Sequence, residues 1–316
     1  MRTRTALLLS LFATVAAAQQ LPHPDHVVVV VMENKKDTDV IGSPNAPYIN
    51  TKLIPLGTVL TKAYALHHPS QPNYLELFAG APLSVCTDAC FAQKTAPNLA
   101  AQLRASTDPK HNTFVGYAEH FHPQCQNTPT ADQYAQKHCP WRDFTNVPAS
   151  VSKDFSAFPT NFDQLPAVAF VIPDLFGDMH SVDPNDQANA QILAAHHGQL
   201  TDAEEIPLEV KQGDTWLKTH MDRYARWAGD HNSLLIVTWD EDSAPHPHVS
   251  SCANGITTHP PANRIPTIFV GAHVHRGHPG TRQVTHHDLL RTILDMEGLP
   301  PFAGAVTATP ITDIWQ

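Results

Sequence analysis

The 316-residue chain carries 30 Asp and Glu against 20 Lys and Arg, a formal net charge of -10 at pH 7. That balance excludes a nucleic-acid backbone as the natural partner, because neutralising phosphates needs a basic surface. No apolar run beyond the N-terminus approaches the ~20 residues of a membrane span. The 28 prolines and 21 histidines describe a loop-rich chain in which most imidazoles are surface or structural groups.

The N-terminus reads as a leader. Arg2 and Arg4 form a basic region, Ala6 to Val15 an apolar one, and Ala16-Ala17-Ala18 a small-residue cleavage site. This is the pattern of a secretory signal peptide over residues 1–18, too short to span a membrane. Cleavage after Ala18 is expected to leave residues 19–316 as one domain in the periplasm or outside the cell. Losing both arginines moves the formal charge from -10 to -12. In an oxidising compartment the local pairs Cys86–Cys90 and Cys125–Cys139 are the expected disulfides, with Cys252 left free. A metal site at Cys86 and Cys90 is the competing reading, and secretion favours the disulfide.

Taken in order, His26 to Met32 is a continuous β-branched run, suited to a strand buried on both faces of a parallel sheet. It ends in Glu33-Asn34-Lys35. A turn-rich segment and a short helix candidate, Pro47 to Leu53, follow. Thr58 to Leu66 reads as a strand and Pro72 to Ala79 as a helix. Between them, His67-His68-Pro69-Ser70 puts Ser70 at or near an N-cap, where unpaired N–H groups and the helix dipole favour a nearby anion. Pro97 to Ala105 reads as a helix and Thr113 to Tyr117 as a short strand. Gly116 to Pro159 is polar, without periodicity, and reads as a cap over one end of the sheet. Ala167 to Ile172 and Ser233 to Trp239 are further buried-strand runs, and Ile265 to Val270 a fourth. Asp214 to Ala228 is helical, with Trp216, Leu217, Met221, Tyr224 and Trp227 recurring as a packing stripe. Thr285 to Met296 is a helix whose Thr285-x-x-Asp288 has capping-box spacing, and Gly298 stands where a C-terminal cap belongs. Strands alternating with helices predict an α/β domain with a mostly parallel central sheet flanked by helices, a single domain with a loop-rich cap.

Ligands of open α/β sheets bind outside the carboxyl ends of the strands. Four predicted strands end in polar clusters: Glu33-Asn34, His67-His68…Ser70, Asp174…Asp178…His180 and Asp240-Glu241-Asp242. One such cluster is an ordinary turn. Four at one edge, with Thr285-His286-His287 opening a late helix, point to a shared site. Glu33, Asn34, Asp240 and Glu241 offer hard oxygen donors, which favour Mg, Ca or Mn, without excluding Zn. With Ser70 as a fifth ligand, such an ion would lower the hydroxyl pKa and create a nucleophile.

Val28-Val29-Val30-Val31-Met32-Glu33-Asn34, Gly42-Ser43-Pro44-Asn45-Ala46-Pro47-Tyr48-Ile49-Asn50, His68-Pro69-Ser70-x-Pro72-Asn73-Tyr74, Trp239-Asp240-Glu241-Asp242, Pro266-Thr267-Ile268-Phe269-Val270-Gly271 and Thr285-His286-His287-Asp288-Leu289-Leu290-Arg291-Thr292-Ile293 occur in one order. Together they resemble the phosphoesterase family of secreted acid phosphatases and bacterial phospholipases C, within the alkaline-phosphatase-like superfamily. The resemblance implies a phosphoseryl mechanism with Ser70 as nucleophile, assisted by His180 and His287. It implies one divalent metal on Glu33, Asn34, Ser70, Asp240 and Glu241, and substrate contacts from His68, Asn73 and Asp178, with His67 and His286 as neighbouring candidates. A second metal on Asp174 or Asp178 with His180 and His287 belongs to the wider superfamily, whereas the phosphoesterase pattern gives these groups to phosphate. The expected activity is that of a metal-dependent acid phosphatase on small phosphorylated substrates. The alternatives are a phosphodiesterase or phospholipase C with the same site, or a secreted phosphate- or metal-binding protein that would lack the nucleophile or the carboxylates. The sequence defines no oligomeric state.

Overall fold

In a computed structural model of the chain, the described residues are 21–124, 129–243 and 261–316. The expected signal peptide, Cys125, Cys252 and most of the Pro/His/Gly loop before Arg264 lie outside them. The first half contains β1 (His26–Met32), α1 (Asp37–Val40), β2 (Thr58–Val59), β3 (Ala63–Tyr64), α2 (Ser70–Ala79), α3 (Leu99–Ala105), β4 (Phe114–Ala118) and β5 (Ser152–Asp154). The second contains β6 (Val168–Ile172), α4 (Gln187–Ala195), α5 (Asp202–Asp230), β7 (Ser233–Trp239), β8 (Arg264–Ile265), β9 (Thr267–Gly271), β10 (Val284–Thr285) and α6 (His286–Met296).

The main sheet has seven strands in the order β2-β9-β7-β1-β6-β4-β5. β1 pairs in parallel with β6 and β7, and β4 in parallel with β6 and β5. β9 and β2 close one side antiparallel. Val27 to Met32 are all 0% exposed. Each such side chain supplies about 1.5–3 kcal/mol of transfer free energy, which explains why this run occupies the sheet centre. α2 buries all ten of its residues and packs through Phe78 against Phe114 of β4 and Phe170 of β6. The α5 stripe is core: Leu217, Met221 and Tyr224 are fully buried.

Five expectations change. Ile265 to Val270 is not one strand: β8 lies in a small three-stranded sheet and β9 in the main one, with Pro266 between them. Thr58 to Leu66 is not one strand: β2 joins the main sheet, and β3 joins a separate three-stranded sheet with β10 and β8. The break follows Thr61, whose N–H and hydroxyl both donate to the Gly280 carbonyl and turn the chain. α5 begins twelve residues before the predicted start, at a Thr201–Glu204 capping box. Its first turns are polar and contain Pro207, so no apolar stripe announces them. α4, capped by Asp186, was not expected. Cys139 is free and buried, so the Cys125–Cys139 pair does not form; its thiol packs beside Tyr134, and burial pushes it up to about 12. Cys86 and Cys90 are both in disulfide linkage.

Candidate active site

The carboxyl ends of β1 and β7 are neighbours, and each delivers acid groups at the same level. Glu33 and Asp240 are essentially fully buried, and Glu241 nearly so. The Asp240 N–H donates to the Met32 carbonyl, extending the ladder, and the Asn34 N–H donates to Asp240 Oδ1 at 3.1 Å. Asn34 takes a left-handed φ of +52°, which Asn tolerates and which turns the chain immediately after Glu33. Its Nδ2 donates to Glu33 Oε2 at 3.0 Å.

Ser70 is the first residue of α2; the N-cap position falls on Pro69 and makes no side-chain cap. This refines the N-cap expectation and matters chemically, because the hydroxyl is not spent on its own helix. The Gln71 N–H is instead satisfied by Asp88 Oδ1 at 3.1 Å. Ser70 Oγ lies 3.1 Å from Glu33 Oε2 and 3.1 Å from Glu241 Oε1. One hydroxyl proton serves one acceptor at a time, so this oxygen sits among more acceptors than it can satisfy. Glu241 Oε2 also meets His68 Nδ1 at 2.6 Å and Asn73 Nδ2 at 3.5 Å. The other Asn73 groups fasten the Leu66–His67 backbone to α2, with Oδ1 accepting both N–H groups and Nδ2 donating to the His67 carbonyl.

A second set reaches Glu33 from the other side. Tyr74 donates to Glu33 Oε1 at 2.7 Å and stacks on His138, whose Nε2 is 2.9 Å from the same oxygen. His138 Nδ1 is 3.4 Å from Asp178 Oδ2. Burial favours neutral His138, but the Glu33 carboxylate outweighs it and pushes the imidazole up to about 9. Burial likewise opposes ionised Glu33, yet His138 and Lys137 hold it well below the usual carboxylate range. Burial pushes Asp178 up to about 7, and His180 down to about 4. The His180 N–H is capped by Asp178 Oδ1 at 2.9 Å.

The site residues expected from sequence therefore fall into a connected cluster and an outlier. Glu33, Asn34, Ser70, Asn73, His68, Asp240 and Glu241 are joined by direct contacts; Asp178 joins them through the Glu33 N–H, which donates to its carbonyl at 2.8 Å, and through His138, and His180 follows through Asp178. His287 binds Glu76 Oε2 at 2.5 Å instead, and His67 binds Glu76 Oε1 at 2.7 Å. Burial opposes ionised Glu76, but the two imidazoles hold it below its ordinary range. His286 faces the Trp239 carbonyl at 3.0 Å. Tyr74, His138 and Lys137 were not singled out from sequence. Tyr74 lay inside the Ser70 motif, whereas Lys137-His138 lay in the aperiodic segment after β4 and carried no signal of its own.

The donor set fits a divalent cation. Burial raises Asp240 and Glu241 well above the ordinary carboxylate range, and their neighbouring carboxylates add to it. Asp240 Oδ2 is buried without a hydrogen-bond partner among the described residues. A cation beside these oxygens relieves both the repulsion and the unmade bond. Glu33, His138 and Asp178 form a second group that could hold a metal ion, their ligand atoms lying within 4.8 Å of one another. An imidazole must be neutral to ligate, so the Glu33–His138 ion pair opposes that use.

The comparisons agree with this geometry. The model of the Phosphoesterase family matches residues 43–300. Phosphatidylinositol-3-phosphatase of Mycobacterium tuberculosis is 38% identical over 304 residues, 95% of this chain and 85% of that protein. An acid phosphatase of Aspergillus fumigatus is 22% identical over 288 residues, 86% of this chain and 54% of that protein. A protein of the alkaline phosphatase superfamily from Vibrio parahaemolyticus shares the fold, with a TM-score of 0.58 at 13% identity over 92% of this chain and 70% of that one. No helix among the described residues is long and apolar enough to cross a membrane. The family match over residues 43–300 and the 38% identity to a phosphatase, on a chain whose buried carboxylates surround a serine at a helix start, make it a member of the Phosphoesterase family and a phosphoric ester hydrolase.

Proposed function

We propose that the chain is a secreted, metal-dependent phosphomonoesterase of acid-phosphatase type, acting through a phosphoserine at Ser70. The observation that carries this is the Ser70 hydroxyl, uncommitted to its own helix and 3.1 Å from both Glu33 and Glu241. Glu33, Asn34, Ser70, Asp240 and Glu241 would hold one divalent cation, which when bound supplies a Lewis acid beside the serine oxygen. In the first step Ser70 Oγ bonds to phosphorus, its proton passes to Glu241, and the bond from phosphorus to the alcohol oxygen breaks. His180, protonated, gives its proton to that departing oxygen. In the second step a water oxygen bonds to phosphorus and gives a proton to the now neutral His180, the bond from phosphorus to Ser70 Oγ breaks, and Oγ takes its proton back from Glu241, releasing inorganic phosphate. The Lys137 ammonium, 2.7 Å from Asp88 Oδ2, offers positive charge to the phosphoryl oxygens. Because burial holds His180 down at about 4, its acid role favours turnover at acidic pH. The name of the 38% identical relative supports a monoester, and a phosphoinositide headgroup is a substrate to include.

The test is hydrolysis of an aryl phosphate, a bis-aryl diester and phosphatidylinositol 3-phosphate in mixed micelles. Activity should favour the monoesters, rise from pH 7 toward pH 5, vanish with a chelator and return with Mg or Mn. Ser70→Ala should lose at least ~10³-fold in kcat, as removal of a nucleophile does. An active Ser70→Ala protein would sink the reading.

A further inference from the structure

One buried charge beside the site takes no part in the chemistry above. Lys35 follows Glu33-Asn34 directly and is 2% exposed. An ammonium has three donors, and all three are used. Nζ is 3.0 Å from the Asn34 carbonyl, 2.7 Å from the Met179 carbonyl and 2.9 Å from Glu209 Oε2. Both carbonyls belong to residues with left-handed backbone, Asn34 at φ +52° and Met179 at φ +80°. Asn tolerates that conformation, whereas Met179 stays there only where its surroundings over-determine it. These two turns carry the functional groups: Glu33 and Asn34 in one, Asp178 and His180 on either side of Met179 in the other. A single backbone bond, Glu33 N–H to the Asp178 carbonyl at 2.8 Å, also links them.

One stretch of α5 supports the same turn. Glu209 takes the ammonium. Gln212 Nε2 donates to the Phe176 and Ser181 carbonyls at 3.2 and 2.9 Å. Gly213, one turn on from Glu209, leaves the space that Met179 fills; a Cβ there would stand 2.3 Å from Met179 Cγ.

We infer that Lys35 is a positioning residue: its ammonium ties the Glu33–Asn34 turn to the Asp178–His180 turn and to Glu209 of α5, so that the carboxylates around Ser70 and the His180 imidazole hold one arrangement. The inference rests on the site reading proposed above. Hydrogen bonds from a charged donor are about twice as strong as neutral ones, and Glu209 offsets the burial of that charge. Losing Lys35 lets both turns relax while leaving every group that touches substrate chemically intact.

Lys35→Met removes the charge and keeps the length, but leaves Glu209 buried without its partner. The double variant Lys35→Met/Glu209→Gln removes both charges and carries the test if the single variant does not fold. The readouts are kcat and KM on an aryl phosphate, Mn²⁺ affinity by calorimetry, and Tm. The double variant should melt near wild type, keep KM within about threefold, and lose ~10- to 100-fold in kcat and in Mn²⁺ affinity, the usual cost of removing an outer support. Lys35→Arg, whose planar fork can keep two of the three bonds, should recover part of that loss. Wild-type kcat and Mn²⁺ affinity in the double variant overturn the inference while Ser70→Ala is inactive. An active Ser70→Ala protein overturns the site reading instead.

Discussion

Both edges of the main sheet gather imidazoles and buried carboxylates, but only one gathers a reactive group with them. At the carboxyl edge Glu33, Asp240 and Glu241 converge around one serine hydroxyl, their like charges raise Asp240 and Glu241, and Asp240 Oδ2 has no donor among the described residues. At the opposite edge, before β1 and β4, His23 Nδ1 meets the Met296 carbonyl at 2.6 Å and His111 Nδ1 meets Glu297 Oε2 at 2.8 Å. The His23 and His111 rings are 6.4 Å apart, edge to face. Glu297 is about as buried as Glu33, Asp240 and Glu241, but its carboxylate faces an imidazole rather than a serine hydroxyl, and Asp108 is the acid whose charge reaches it. Imidazole abundance is therefore no guide in a chain with 21 histidines. What marks a site is crowding of like charge that folding alone would not favour.

The largest effect expected from this contrast is at Asp240. Asp240→Asn should lower kcat/KM by roughly 10³-fold, the scale seen when a key electrostatic group is lost. It should also raise the Tm of the protein in chelator, because one of three mutually repelling buried acids has gone. Added Mg²⁺ should raise the Tm of wild type more than that of the variant, since only the intact site binds the folded state tightly. If Asp240→Asn destabilises the chelated protein, the crowding is not a strain stored for function, and the contrast between the edges fails.

Much of the carboxyl edge was legible because its residues follow runs that suit a buried parallel strand. His26–Met32, Val168–Ile172 and Ser233–Trp239 are continuous apolar segments, and parallel strands must end on one edge, so Glu33, Asp178 and Asp240 had to meet. Strand direction was not legible: β9 is as apolar as β7 yet runs antiparallel to it, and the two-residue strands β2 and β3 lie below any periodic signal. Lys35 read as an ordinary charge after a strand, since nothing local reveals that Met179 and Glu209 come to it. His138 lay in a segment without period, and its place comes from long-range contacts, the Glu33 and Asp178 carboxylates and the stacking on Tyr74. Cys139 shows the limit of spacing arguments: it sat at a suitable separation from Cys125, and its burial beside Tyr134 settled the matter otherwise.

A smaller effect should come from Gly213→Ala. Its Cβ would overlap Met179 Cγ at 2.3 Å and Cε at 2.6 Å. Met179 is a flexible side chain, so the helix survives and the Met179 turn shifts. An approximately tenfold loss in kcat is expected, with Tm lowered by a few degrees, consistent with overpacking costs of about 1–3 kcal/mol. Stability and activity measured together separate the cases. A fall in Tm with unchanged kcat would mean that the Asp178–His180 turn tolerates displacement.

The smallest effect on activity should be at the other edge, where Glu297 is pushed by burial up to about 7, with His111 opposing. Below about pH 4.5 both the folded and unfolded chains hold the proton, and its burial costs nothing through ionisation. Between there and about pH 7 the unfolded chain ionises while the fold retains the proton, so this carboxyl lowers stability as pH rises. Above that window the penalty is constant, on the order of 3 kcal/mol as an upper bound. Glu297→Gln cannot titrate, so the difference in unfolding free energy between variant and wild type should shift in favour of the variant from pH 5 to pH 8, by urea denaturation at each pH. Its kcat should stay within about twofold of wild type, because no contact among the described residues joins Glu297 to the Ser70 cluster. A tenfold loss of kcat would show that the two edges are coupled through the sheet, and that the His111–Glu297 pair at the amino edge supports turnover.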